Sequence, residues 1–89
     1  MNKTSLERIV SKVTAERDRQ SSLPGSEWDA KNTPGDWASI VTHYASAEVR
    51  RNGIVPNSED YELSLVKAAA VIFAALAHID EMKERKELL

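Results

Sequence analysis

Lys67 is the residue of this 89-residue chain whose chemistry the surrounding sequence least explains as structure. It stands directly before Ala68–Ala77, the longest uninterrupted apolar run, in the segment SLVKAAAVIFAALAHID. An ammonium group there is costly unless it snorkels to water or finds a partner. Glu62 and Asp60 are candidate partners within the chain. A phosphate is a third, since lysine presents it with a point charge. Other cations gather nearby in sequence: Arg17 and Arg19 late in a first helix, Arg50 and Arg51 late in a second. Arginines favour helix C-termini on electrostatic grounds, and Glu16 and Asp18 adjoin the first pair, so a solvated face accounts for most of them. His43 and His78 lie on different helices without the spacing of a metal motif such as HExxH, and no metal site is expected from them. For His78 the plain reading is an interface or helix-surface imidazole. No nucleophile arrangement is recognisable, and Gly25, Gly35 and Gly53 read as turns and a helix stop rather than a phosphate loop.

The elements that would position these residues are helical throughout. Thr4 and Glu7 have the spacing of a capping box, followed by Leu6, Ile9, Val10 and Val13 on one face. This predicts a helix over about 5–20, with a polar loop over 21–35 that Trp28 pins to the body. Thr33-Pro34-Gly35-Asp36 is a second start signal, opening a helix over about 34–52. Trp37, Ile40, Val41, Tyr44, Ala45 and Glu48 share one of its faces, and Asn52-Gly53 ends it. Ile54–Asn57 form a short connection. Ser58 is the expected cap of a third helix over about 59–86, on the order of 40 Å long at 1.5 Å per residue. Its tail, DEMKERKELL, alternates in charge sign and is expected to be solvated. The expected fold is all-α: one domain over 1–89, a three-helix protomer with a long C-terminal helix.

A chain this short has a thin core. The run AAAVIFAALA is apolar on every side, more than two short helices can cover, and its alanines permit close helix approach. The chain is therefore expected to assemble into an oligomeric helical bundle, a dimer or larger, through Val66, Ala69, Ala70, Phe73 and Ala77. The formal charge of −2 provides no basic field, so nucleic acid is not the expected partner. The absence of cysteine excludes disulfides and thiolate zinc sites and fits a cytoplasmic protein. No signal-peptide core opens the sequence, and ten apolar residues are about half a membrane span, so no membrane association is expected.

Three segments together carry a family resemblance: AERDRQ, WDAKNTPGDWASIVT from Trp28, and SLVKAAAVIFAALAHID. They resemble the MazG-like all-α nucleotide pyrophosphohydrolases, and most of all the short forms common in phages and prophages. Those forms read approximately ERxRQ, a WG-type turn, N-(H)-x-P-x-x-W, an EExxE helix, and an E-L-x-D/Q-V-A-A-V helix ending in I-D or L-D. The likeness runs from about Leu6 to Asp80. It implies a helical dimer or tetramer in which clustered carboxylates hold Mg²⁺ for cleavage between the α and β phosphates of a nucleoside triphosphate. Mg²⁺ needs hard oxygen ligands, and EExxE sets acids one turn apart on one helix face.

Carried onto this chain, the paired glutamates fall on His43 and Tyr44 and the third on Ala47. The ExxD positions fall on Ser64 and Lys67. A slip of one residue brings Glu48 into the third position and recovers only that acid. The resemblance thus implies a MazG-like scaffold without the family's carboxylates. The expectation is a non-catalytic helical oligomer of phage or mobile-element type, without cofactor, acting by binding or interaction. Its candidate ligand is a nucleotide or phosphorylated small molecule, met by Lys67 and by His43, Tyr44, Arg17 and Arg50, with Tyr44 stacking on a base. The alternative expectation is an active, metal-dependent pyrophosphohydrolase with a displaced acidic site at Glu48, Asp60 and Glu62.

Overall fold

The computed structural model describes residues 1–52 and 55–89; Gly53 and Ile54, which the sequence reading placed at the helix stop and the connection, lie outside the described residues. The described chain is helical, in the order α1 (Lys3–Ser21), a 3₁₀ helix η1 (Ser26–Lys31), α2 (Pro34–Asn52), α3 (Ser58–Ala77) and α4 (Ile79–Glu84). No strand occurs among the described residues.

The three long helices each start at a side-chain cap, and two of these caps differ from expectation. Helix α1 begins two residues early because Asn2, not Thr4, is the cap: its side-chain oxygen accepts from the Ser5 amide at 2.8 Å. Similarly Asn57, not Ser58, caps α3, accepting from the amides of Glu59 and Asp60 at 3.0 and 3.1 Å. The start of α2 is as expected. The Asp36 amide donates to the Thr33 hydroxyl at 3.1 Å while the Thr33 amide donates to the Asp36 carboxylate at 2.9 Å. This capping box, led by the Thr33 amide bond, holds the Asp36 carboxyl below its ordinary range.

The long C-terminal helix does not continue to residue 86. At His78 the backbone leaves helical values (φ −111°, ψ 18°), and the short helix α4 follows. The bend lets the tail return to the core: Met82 is buried with Trp37, Val71 and Ala74, and Ile79 and Leu88 pack against them. The tail is therefore only partly solvated. A Schellman motif closes it, with Lys86 in the left-handed region (φ 61°), its amide donating to Lys83 O and the Glu87 amide to Met82 O. His78 stacks on Trp37 with ring centroids 6.0 Å apart, so it is a half-buried bend residue.

The 21–35 segment is tied down differently from expectation. Trp28 is 57% exposed, with the Lys31 ammonium 4.2 Å above its ring. The anchors are cationic instead. Arg85 donates to Ala30 O and Asn32 O, both at 2.7 Å, and Arg17 reaches Asp29 at 3.5 Å. Helix α3 is the common wall, packing against α2 more extensively than against α1.

Candidate functional site

The positions to which the family resemblance assigns carboxylates converge in space. His43, Tyr44 and Ala47 of α2 and Ser64 and Lys67 of α3 line one cleft of about 320 Å³ together with Glu48, Arg51, Asp60 and Leu63. The facing residues arise from helical periodicity. On α2, residues 44, 47, 48 and 51 lie one turn apart, and on α3 residues 60, 63, 64 and 67 do the same. Ser64, buried, and Ala47, half-buried, leave the room that a carboxylate at either position would occupy.

Charges of both signs meet here. Glu48 is only 6% exposed and accepts a hydrogen bond from the Arg51 guanidinium. The same guanidinium nitrogen lies 3.9 Å from the Asp60 carboxylate, so Arg51 bridges α2 and α3. Among the described residues the Lys67 ammonium makes no ion pair or hydrogen bond, although the backbone carbonyl of Lys67 accepts from Gln20 at 3.3 Å. Lys67 still acts at a distance on Glu16. That carboxyl is held below its ordinary range first by the hydrogen bond from Arg19, against burial, with further help from Gln20 and the Lys67 charge.

The candidate partners named from sequence are otherwise engaged. Glu62 turns to the α1 side, meeting Lys12 at 2.8 Å and Arg8 at 3.2 Å, which depress its carboxyl in that order. Asp60 faces Arg51. The displaced acidic set is thus split between two sides of α3.

Two of the five proposed ligand residues lie elsewhere. Arg50 curls back to His43, donating to its carbonyl at 3.3 Å, in a second groove with Ala38, Ser39, Thr42 and Ser46. Arg17 lies by the η1 segment, paired with Asp29, in a cavity of about 200 Å³ whose wall includes Trp37, Ile40 and Tyr44. Tyr44 borders both that cavity and the cleft. Arg51 is the charged cleft residue that the sequence did not assign to the site, and Leu63 is the apolar one. For Arg51, the spacing of i+3 from Glu48 and i+4 from Ala47 was the available signal.

Mg²⁺ does not fit this donor set. It takes oxygen ligands in near-octahedral geometry. Here the positions to which the resemblance assigns metal ligands carry an imidazole, a phenol, a methyl, a hydroxyl and an ammonium, and the two neighbouring carboxylates share a guanidinium. Among the described residues no group of three or more His, Cys, Asp or Glu side chains could hold a metal ion.

The proposed interface stripe is largely used within the chain. Ala70 is 0% exposed, and Val66 and Ala69 line a groove with Ile9 and Val13 of α1. Phe73 and Ala77 remain exposed. The exposed apolar side chains of α3 include Leu65, Ile72, Phe73 and Leu76 as well as Leu63, and on α1 Leu6, Ile9 and Val10 are also exposed. No described helix is long and apolar enough to cross a membrane. No family profile, characterised protein or solved structure matches this chain.

Proposed function

We propose that this chain is a non-catalytic, MazG-like helical oligomer of phage or mobile-element type that binds a phosphorylated small molecule, such as a nucleotide, in the cytoplasm. The observation that carries the reading is the cleft between α2 and α3. There the five positions at which the family resemblance expects metal-binding acids come together, and they present Lys67 and His43 in place of carboxylates, with Arg51 alongside. A phosphate in this cleft meets cations directly, and Tyr44 and Leu63 supply the apolar contacts. The acid-to-lysine exchange supports binding over metal-dependent hydrolysis, since the two remaining carboxylates are tied to Arg51.

Self-association is the second part of the proposal. No large side chain is fully buried among the described residues, so the core of a single copy is thin. Leu65, Ile72, Phe73 and Leu76 form one exposed face of α3, at i, i+7, i+8 and i+11. A second copy of the chain is the proposed cover, because the same stripe on both copies makes a self-complementary contact.

The test is binding of nucleoside monophosphates and triphosphates in EDTA by wild type and by Lys67→Glu, with the mass in solution measured in parallel. Lys67→Glu is expected to abolish binding while the mass stays unchanged. If it alters only mass or stability, Lys67 is a structural residue and the reading fails.

A further inference from the structure

The cleft's charge balance says more about its ligand than the presence of a lysine does. Two fixed cations, Lys67 and Arg51, line it with two carboxylates, Glu48 and Asp60, and His43 adds positive charge only when protonated. The cleft is therefore close to neutral, unlike a site built to neutralise a polyphosphate. Arg51 already spends its guanidinium on Glu48 and Asp60, which leaves the Lys67 ammonium as the one fixed cation of the cleft without an ion pair among the described residues. A volume of about 320 Å³ is at the small end for ligand sites.

From this geometry we infer that the cleft selects a phosphomonoester, without metal, against a di- or triphosphate. The inference rests on the phosphate-binding reading above. A phosphomonoester carries a charge of about −1.5 to −2 at neutral pH, which one ammonium and a shared guanidinium can meet. Each further phosphoryl group adds negative charge that faces Glu48 and Asp60 instead of a cation. Like charges at short range in a partly desolvated cleft oppose binding, and among the described residues no group of three or more acids or imidazoles could hold a neutralising Mg²⁺ with the polyphosphate.

The test separates charge from base recognition by using inorganic ligands. Orthophosphate, pyrophosphate and tripolyphosphate are titrated calorimetrically into the full chain at constant ionic strength in EDTA. The same series is run with Lys67→Gln and Arg51→Ala, whose folding is checked by helical circular dichroism and melting. Affinity is expected to fall at least threefold with each added phosphoryl group, and Lys67→Gln is expected to lower orthophosphate affinity tenfold or more. Tightest binding of tripolyphosphate, still dependent on Lys67, overturns the selectivity and leaves the phosphate-site reading standing. Absence of binding by all three ligands, or binding indifferent to Lys67→Gln in a folded protein, overturns both.

Discussion

Helix α3 presents two unlike sides. Toward α2 and α4 it contributes Val71 and Ala74 to a core with Trp37 and Met82, and one turn earlier Ser64 and Lys67 open into the charged cleft. Toward α1 and outward it offers Val66 and Ala69 to a shallow groove and leaves Leu65, Ile72, Phe73 and Leu76 exposed. The first side is completed by the chain itself, through the bend at His78 that brings Met82 home. The second is not. Stability of one copy therefore resides on the α2 side, and the other side is the face proposed for association, although both sides are drawn from the same apolar run.

The largest expected effect tests the closed side. Trp37 is 5% exposed and stacks on His78, so Trp37→Ala should cost about 3–5 kcal/mol and lower the melting temperature by roughly 15 °C or more. A loss below about 1 kcal/mol would mean that the core is not where stability lies. On the open side, Phe73→Glu should reduce the mass in solution to that of one chain while helicity persists. Unchanged mass would remove this face from any assembly.

Smaller effects sharpen the division. Glu16 is buried, and its carboxyl is depressed chiefly by Arg19, so its charged form contributes stability above the ordinary value of 4.5 that is lost as pH falls through the depressed value. Glu16→Gln should cost about 1 kcal/mol at pH 7, discounted for the exposed Arg19, and should flatten the acid side of the stability profile. An acid limb identical to wild type would show that this carboxylate does not contribute. By contrast, Glu62 meets Arg8 and Lys12 in open solvent, and Glu62→Gln should leave the melting temperature within error at physiological salt. A marked drop would show that the α1 ion pairs, rather than Ile9 and Val13, dock that helix.

Much of this was legible in the sequence, and the failures have identifiable causes. The extent of α2 follows from Thr33-Pro34 and Asp36, a local signal that tertiary packing has no reason to override. The bend at His78 had no such signal: neither Gly nor Pro marks it, and only the gain from burying Met82 against Trp37 explains it. The caps at Asn2 and Asn57 were each adjacent to another good capping residue, and local preference does not choose between neighbours. At the candidate cleft, helix periodicity brings His43, Tyr44 and Lys67 together. Arg17 and Arg50 lie apart from that cleft, and charge says nothing about which side of a helix a residue occupies. Ala70 is fully buried within the chain, and a helix apolar on every side does not reveal which stripe its own chain will take.

The most direct measurement is pyrophosphate release from a panel of ribo- and deoxyribonucleoside triphosphates by purified protein with Mg²⁺ or Mn²⁺. The expected result is no release above a protein-free control. Release that scales with protein concentration and falls in Glu48→Gln or Asp60→Asn would contradict it, and would make the cleft's two carboxylates metal ligands despite Arg51.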